Sequence, residues 1–368
     1  MHVLHVVGAR PNFMKAAPVL RALTVRGIRQ TLIHTGQHYD TSMSDIFFRQ
    51  LEMPLPDFNL GVGSGTHAQQ TAAVMTAIEP ILLEQNPDLL LVYGDVNSTL
   101  AAALVASKLA IRVGHVEAGL RSGDRSMPEE LNRLLTDQLS DLLFTPSTDG
   151  NENLIREGVA AAKIHLVGNV MIDSLVRLLP RALETLPADL PSSYALVTLH
   201  RPSNVDDLPW LRELLATLAD LSHQLHVVFP VHPRTRQRLE SIGGLPPNPS
   251  RLRLMEPQPY LEFLALQSHA AMVITDSGGI QEETTFLGVP CLTVRENTER
   301  PITLTRGTNR LVGRNPKSLR DAAKEILSEP LDVTNRSRAK IPLWDGHASD
   351  RIAEAILSCP GSIKGGTD

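Results

Sequence analysis

The sequence predicts two Rossmann-like, doubly wound α/β domains that face each other across a cleft. Short apolar runs alternate with longer amphipathic stretches along most of the 368 residues. This alternation is typical of a parallel sheet with helices on both faces. It stops once, at residues 178–193, where three prolines occur. The length also suits two domains, each large enough to bury its own core.

The first series of elements precedes this proline-rich segment. Its predicted strands are short and apolar, and Pro128 suits the first turn of a helix, where no backbone N–H is needed. The strands are predicted at residues 2–7, 30–34, 88–93, 112–116 and 142–145, and the helices at residues 11–26, 68–85, 97–109, 128–139 and 149–157.

The second series follows the same alternation. Its strands are predicted at residues 194–198, 226–230, 251–255, 271–275 and 289–293, and its helices at residues 208–220, 234–241, 260–267 and 280–287. A last helix is predicted at residues 348–357. We therefore expect one domain over residues 1–170, a second over residues 190–345, and a C-terminal helix and tail over residues 346–368 that packs back on the first domain.

Composition excludes several classes of function. The formal net charge is −5 and no basic block occurs, which argues against nucleic-acid binding. The two cysteines, Cys291 and Cys359, show no CxxC spacing, so we expect neither a metal site nor a disulfide. The N-terminus does not resemble a signal peptide, and the apolar stretches are too short to span a membrane. These features favour a cytoplasmic enzyme without metal or membrane partners.

Ligands of doubly wound sheets bind at the carboxyl ends of strands, so polar residues there are the candidates. The first predicted strand is followed by a glycine turn and then by Arg10 and Lys15. Both cations lie near a predicted helix N-terminus, where an anion is favoured.

Three acidic positions follow successive elements of the first domain. Asp95 and Glu117 come after two predicted strands, and Glu129 lies beside Glu130 in the first turn of a predicted helix. Each acid alone could be a helix cap or a first-turn acid. Because the carboxyl ends of parallel strands meet at one edge of a sheet, we expect the three to form a catalytic set.

The second domain carries the sharpest signal. A predicted strand ends in the turn Ser277, Gly278 and Gly279 before a helix, and backbone N–H groups at such a turn can bind a diphosphate. Either Glu282 or Glu283 could accept hydrogen bonds from ribose hydroxyls. The GxxxxGK[ST], HExxH and GxSxG patterns are absent.

Several long motifs resemble one known family. They are GARPNFMKAAPV, TGQHYD, YGDVNSTLAAAL, HVEAGLRSGDRSMPEELNR, GNVMIDSL, TLHRPSNVD, PVHPR and TDSGGIQEETTFLGVPCLTVRENTERP. In this order they resemble the non-hydrolysing UDP-N-acetylglucosamine 2-epimerases, as far as about Gly346. That family is similar in fold to the B-type two-domain glycosyltransferases (GT-B).

The resemblance implies a reaction and a partner. The family interconverts UDP-N-acetylglucosamine and UDP-N-acetylmannosamine by anti elimination of UDP, through 2-acetamidoglucal, and readdition. It implies a UDP-amino-sugar substrate, no cofactor, a role in cell-envelope polysaccharide biosynthesis and a homodimer. It also implies that the first domain carries the catalytic carboxylates and that the second binds UDP.

The resemblance also implies residue roles. The catalytic residues would be Asp95, Glu117, Glu129 and His200, and Glu130 would be structural. The substrate-binding residues would be Arg10, Lys15, Gln258 and Phe263 (at the uracil), Ser277, Gly278, Gly279, Glu283 (at the ribose) and Arg300.

Other activities stay open at this point. Many family members read GTRPEAIK and HRRE where this chain reads GARPNFMK and HRPS. A relative that acts on a UDP-diacetamido-glucuronic acid shares the GARP-type opening. A hydrolysing 2-epimerase would release free UDP. A B-type glycosyltransferase would lack the three-acid set, and a non-catalytic UDP-sugar sensor would not need it.

Overall fold

A computed structural model describes residues 1–36, 48–244, 251–328 and 341–359. The chain divides into two compact units, one comprising Met1–Arg177 with Pro342–Asp368 and the other Leu178–Ile341. Each unit is built on its own parallel sheet, so the predicted α/β class is confirmed. The expected domain limits differ slightly from this division, which falls inside a helix at Val170–Leu183. Residues 178–183 of the proline-rich segment are therefore helical.

The first unit holds a seven-stranded sheet of order β3-β2-β1-β4-β5-β6-β7, and all its described pairings are parallel. The strands are β1 (His2–Val7), β2 (Arg29–His34), β3 (Phe58–Asn59), β4 (Leu89–Tyr93), β5 (Arg112–Val116), β6 (Leu142–Thr145) and β7 (Ile164–Leu166). The helices are α1 (Arg10–Val25), α2 (His67–Gln85), α3 (Asn97–Lys108), α4 (Pro128–Leu139), α5 (Thr148–Arg156) and α6 (Val170–Leu183).

The second unit holds a six-stranded sheet of order β10-β9-β8-β11-β12-β13, again with parallel pairings. The strands are β8 (Tyr194–Thr198), β9 (His226–Pro230), β10 (Leu252–Met255), β11 (Met272–Thr275), β12 (Cys291–Thr293) and β13 (Asn309–Leu311). The helices are α7 (Pro202–Val205), α8 (Leu208–Leu221), α9 (Pro233–Ser241), α10 (Tyr260–His269), α11 (Gly278–Leu287), α12 (Ile302–Thr305) and α13 (Pro316–Ser328).

Burial explains why the strands are continuous apolar runs. Every residue of β1 and of β4 is buried, as expected where helices cover both faces of a sheet. In the first core, Leu90 and Val92 pack with Ile78 and Leu82 of α2. In the second, Val197 and Phe229 belong to one cluster with residues of α8. Each sheet therefore has its own hydrophobic core.

The last helix, α14 (Ala348–Ser358), belongs to the first unit and packs against α1. The carboxylate of Asp173 accepts hydrogen bonds from the backbone N–H groups of Ala348 (3.0 Å) and Ser349 (2.7 Å). These are N–H groups of the first turn of α14, which lack partners within the helix. The chain thus returns to the first unit at a defined point.

The order of the strands indicates where a ligand would bind to each sheet. In the first sheet β1 lies between β2 and β4, and in the second β8 lies between β9 and β11, so the strand order reverses at both positions. A ligand of a doubly wound sheet binds at the carboxyl ends of the strands beside such a reversal. Each unit therefore has one such position of its own.

Candidate functional site

In the first unit the loops after β1 and β4 are joined by Asn12. Its Oδ1 atom accepts the N–H groups of Gly8 and Ala9 (3.0 Å each), and its Nδ2 atom donates to the carbonyl of Tyr93 (2.7 Å). Asn12 is buried, so these bonds are sheltered from water. Helix α1 begins at Arg10, whose side chain lies outside what the structure describes. Residues 37–40 of the TGQHYD motif also lie outside the residues that the structure describes.

Lys15 of α1 and Glu117, which directly follows β5, form a buried ion pair. The Nζ atom of Lys15 donates to Oε2 of Glu117, and both side chains are almost fully buried. A Cβ atom on Gly94 would lie 2.7 Å from Nζ of Lys15 and 3.2 Å from Oε2 of Glu117. Glycine at position 94 therefore leaves the space that the pair occupies.

Glu117 adopts an uncommon backbone conformation. Its φ is +76°, a value that costs a residue other than glycine about 1 to 3 kcal/mol. The N–H groups of Glu117 and Ala118 both donate to the carbonyl of Phe144, at 3.1 and 3.0 Å. Strain of this kind persists only where the surroundings hold it, and it is concentrated at functional sites.

The other two predicted acids lie near the start of α4. Asp95 is partly exposed and pairs with the guanidinium of Arg133. Glu129 is exposed in the first turn of α4. The structure therefore joins Asp95 to α4 through Arg133, which lies one helical turn after Glu129.

Glu130, beside Glu129, has a different environment. Its carboxylate is buried and accepts the N–H groups of Ser122 (3.0 Å) and Gly123 (2.9 Å) and the Nε of Arg133 (3.0 Å). Burial by itself would raise the pKa of Glu130, but the Ser122 N–H and the Arg133 guanidinium bring it below its ordinary value. Glu130 thus ties a loop to α4.

A buried pair of residues that the sequence patterns did not indicate joins β5 to α4. Nδ1 of His115 lies 2.6 Å from Oδ1 of Asp137, and both side chains are inaccessible to solvent. Burial alone would raise the pKa of Asp137, but His115 and Arg121 hold it below its ordinary value. Two sequence features could have indicated this pair. His115 lies within an apolar strand, and Asp137 lies far from the N-terminus of its helix.

In the second unit, His200 lies two residues after the end of β8, and Asp276 directly follows β11. The buried Asp276 carboxylate accepts the N–H groups of His200 (3.1 Å) and Arg201 (3.0 Å) and the amide of Asn204 (3.0 Å). It also lies 3.1 Å from Nδ1 of His200. Burial would raise the pKa of Asp276, but its hydrogen bond with His200 contributes most to bringing it below its ordinary value.

The His200 ring is half-exposed, in contrast to its partner. A carboxylate on Nδ1 selects the tautomer with a proton there and orients the ring. The arrangement thus leaves Nε2 for a ligand. Asp276 lies in the TDSGGIQEETTFLGVPCLTVRENTERP motif, but the resemblance implied no role for it.

The turn after β11 brings predicted substrate-binding residues together. Ser277 precedes α11, and its N–H donates to Oγ1 of Thr275 (3.0 Å). A Cβ on Gly278 would lie 2.3 Å from Nη1 of Arg300, so glycine lets the guanidinium approach the turn. Gly279 continues the first turn of α11.

Arg300 itself is buried between two acids. Its Nε lies 3.0 Å from Oε1 of Glu282, and its Nη1 donates to Oε1 of Glu299. Burial would raise the pKa of Glu299, but Arg300 and Arg295 bring it far below its ordinary value. The resemblance implies that Arg300 contacts substrate, and the structure shows that two acids hold its side chain in place.

The remaining predicted residues lie around α10 and α11. Glu283 is buried, and its Oε1 accepts the hydroxyl proton of Tyr260 (2.9 Å). Gln258 precedes α10 and donates from Nε2 to the carbonyl of Glu256 (2.8 Å). Phe263 is partly buried within α10. The hydroxyl of Tyr260 thus joins the first turn of α10 to Glu283.

Two further findings concern residues 1–36, 48–244, 251–328 and 341–359. Within these ranges no group of three or more His, Cys, Asp and Glu side chains is arranged to hold a metal ion. None of the helices found there combines the length and the apolar character needed to cross a membrane.

Comparison with known proteins agrees with this architecture. The profile of the family described as UDP-N-acetylglucosamine 2-epimerase matches residues 21–357. The UDP-N-acetylglucosamine 2-epimerase of Methanococcus maripaludis is 41% identical over 363 residues, which cover 96% of this chain and 97% of that protein. The UDP-2,3-diacetamido-2,3-dideoxy-D-glucuronate 2-epimerase of Pseudomonas aeruginosa is 42% identical over 360 residues, which cover 97% and 99%.

One solved structure is as similar in sequence to this chain as the Methanococcus maripaludis enzyme is. The crystal structure of Methanocaldococcus jannaschii UDP-GlcNAc 2-epimerase in complex with UDP-GlcNAc and UDP matches with a TM-score of 0.88 at 41% identity, over 97% of this chain and 99% of that one. Fold and relatives together define an α/β enzyme of the isomerase class. The chain belongs to the UDP-N-acetylglucosamine 2-epimerase family, as the motifs predicted.

Proposed function

We propose that this enzyme reversibly converts UDP-N-acetylglucosamine to UDP-N-acetylmannosamine by inverting C2. The observation that carries the proposal is the set of carboxylates Asp95, Glu117 and Glu129, at the ends of β4 and β5 and the start of α4. It is supported by the names of relatives that are 41% identical over nearly the full chain.

The chemistry explains why carboxylates are needed. The C2–H bond of the sugar is not acidic, because C2 is not attached to a carbonyl carbon. In the proposed first step the anomeric C–O bond breaks, its electron pair leaves with UDP, and a carboxylate takes the C2 proton as the C1=C2 bond forms. In the return step the other face of C2 is protonated and a UDP oxygen attacks C1. Proton transfers of this kind are assisted by positioned acids and bases.

The two units would divide this work. In our proposal Asp95, Glu117 and Glu129 handle the proton at C2. Departing UDP would be stabilised by hydrogen-bond donors aimed at its developing charge. The proposed donors and contacts are Arg10, Lys15, His200, Ser277, Gly278, Gly279 and Arg300 for the diphosphate, Glu283 for the ribose, and Gln258 with Phe263 for the uracil.

Proton NMR in deuterated water tests the reaction directly. Incubation with UDP-N-acetylglucosamine should produce UDP-N-acetylmannosamine with deuterium at C2, while free UDP stays low. Product that retains the original hydrogen would exclude exchange at this centre. Stoichiometric release of UDP would indicate a hydrolysing enzyme instead. A chelator should leave the rate unchanged, and a loss restored by added metal would contradict a metal-free reaction.

A second substrate is favoured by one observation. The relative named for UDP-2,3-diacetamido-2,3-dideoxy-D-glucuronate is 42% identical, as similar as the relatives named for UDP-N-acetylglucosamine. The same NMR assay with each sugar nucleotide, compared by kcat/KM, separates the two. We assign UDP-N-acetylglucosamine as the substrate. A higher kcat/KM for the diacetamido-uronate would overturn this assignment.

We also propose a homodimer and a cytoplasmic location. Helix α4 exposes two leucines, Leu131 and Leu135, beside a groove of about 410 Å³ lined also by Ala68, Met75 and Leu100. Exposed apolar surface of this kind is typical of an interface. Light scattering with Leu135→Glu tests the dimer, because a monomer in both wild type and variant would refute it. Cell fractionation tests the location.

A further inference from the structure

His115 lies between two acceptors in the interior of the first unit. Its Nδ1 atom is 2.6 Å from Oδ1 of Asp137, and its Nε2 atom is 2.8 Å from the carbonyl oxygen of Gly94. A carbonyl oxygen and an ionised carboxylate can only accept hydrogen bonds. The ring of His115 therefore links the side chain of Asp137 to the backbone at Gly94.

Asp137 also belongs to a chain of ion pairs. Oδ2 of Asp137 also pairs with Nη2 of Arg121 at 2.7 Å, and Arg121 donates from Nε to Glu157 at 2.8 Å. The four side chains come from β5, from α4, from the loop after Glu117 and from the end of α5. In this chain the guanidinium of Arg121 lies between the carboxylates of Asp137 and Glu157. Buried charges persist when they are paired in this way.

The pair of His115 and Asp137 holds the backbone next to two of the proposed catalytic acids. Gly94, whose carbonyl oxygen accepts from His115, immediately precedes Asp95. The N–H of Gly119, two residues after Glu117, donates to Oδ2 of Asp137 at 3.1 Å. One buried pair therefore anchors the loop after β4 and the loop after β5.

Glycine is required where the second of these bonds forms. Gly119 has a φ of +81°, and a Cβ atom there would lie 2.4 Å from the carbonyl oxygen of Gly150. The loop can thus approach α5 closely only with glycine at this position. Together with the φ of +76° at Glu117, this gives a backbone path that needs fixed partners.

We propose that His115 and Asp137 are positioning residues that hold Asp95 and Glu117 in the geometry for proton transfer. The inference rests on the proposed epimerase function. Neither side chain is accessible to a ligand, so each acts through the backbone that it holds. Removal of the pair should lower turnover more than substrate binding.

The kinetic test uses His115→Gln and Asp137→Asn, with Asp141→Asn as a matched control. Asp141 also accepts a backbone N–H of β5, from Val113 at 3.0 Å, but at the opposite end of the strand. We expect both test variants to lose about 100-fold in kcat, the scale of a misplacement of about 1 Å, with KM changed by less than about threefold. The control should keep the wild-type kcat. A folded test variant with near wild-type kcat would overturn the proposal. A loss of about 100-fold in kcat/KM that came from KM alone would also overturn it.

A measurement on the wild-type enzyme does not depend on whether the variants fold. With 15N-labelled histidine, a ring N–H proton of His115 should exchange slowly with water, with and without UDP, because both side chains of the pair are inaccessible to solvent. Rapid exchange of this proton with water would overturn the proposal. If wild type fails to epimerise any UDP-sugar, the proposed function fails, whereas the NMR signature still reports on the pair by itself.

Discussion

Lys15 donates a hydrogen bond from Nζ to Oε2 of Glu117, and the two residues are 102 positions apart in the chain. The pair is almost completely shielded from water. Removal of one member leaves a buried charge without its partner, which is more costly than removal of both.

The first prediction concerns the coupling of this pair. Lys15→Met and Glu117→Gln should each destabilise the first unit, and the double variant should be destabilised by less than their sum, with a coupling of about 1 to 3 kcal/mol. Urea unfolding of the four proteins measures it. The exposed pair of Arg310 and Glu325 is the control and should show a much smaller coupling. Simple additivity at Lys15 and Glu117 would contradict the prediction.

Glu117→Gln should also separate catalysis from binding. Loss of a general base should lower turnover by about 10² to 10⁴-fold, because the amide cannot take the C2 proton. Affinity for UDP, measured by calorimetry, should change little. A large loss of UDP affinity with normal turnover would show that Glu117 has a different role.

The adjacent acids Glu129 and Glu130 should respond in opposite ways. Glu130→Gln should lower the free energy of unfolding by about 2 to 3 kcal/mol, because the buried Arg133 loses an ionised partner. Glu129→Gln should leave stability unchanged, since Glu129 is exposed, but should lower turnover. Thermal unfolding and the NMR assay together distinguish the two variants. If the two variants had equal effects on stability and on turnover, the prediction would be wrong.

Asp276→Asn should impair the enzyme through His200. The amide no longer selects the proton on Nδ1, so the ring loses its fixed tautomer and orientation. We expect kcat to fall by about 10²-fold and its pH profile to change, while UDP affinity is largely kept. Asp206→Asn is the control, because Asp206 pairs with Arg234 and Arg238. Wild-type kinetics for Asp276→Asn would refute the role.

Acid should destabilise the first unit through buried His5. Burial lowers the pKa of His5 to about 3, whereas the unfolded chain titrates near 6.5. Between these values the unfolded state binds one more proton, so stability falls as pH falls, by up to about 1.4 kcal/mol per pH unit. His5→Gln should flatten this slope in urea unfolding at pH 7, 6 and 5 relative to wild type. His223→Gln, at an exposed position, should not. An unchanged slope in His5→Gln would contradict the assignment.

Much of the fold could be predicted from local patterns. All ten predicted strands occur, and their predicted limits differ from the observed ones by at most one residue, except at the start of β12, where the difference is two residues. The strands that the sequence analysis missed, β3, β7 and β13, have two or three residues. So short a segment has too few residues to show a period, and neighbouring strands determine its pairing.

The sequence by itself determined the family, the two parallel sheets and the candidate acids, because these depend on residue type, local periodicity and long motifs. Tertiary structure alone decided which acids are buried, that Lys15 pairs with Glu117, and that His115 bridges Gly94 and Asp137. Such contacts join residues up to 102 positions apart. No local pattern specifies them, because they exist only once the parallel strands are aligned and their carboxyl ends meet.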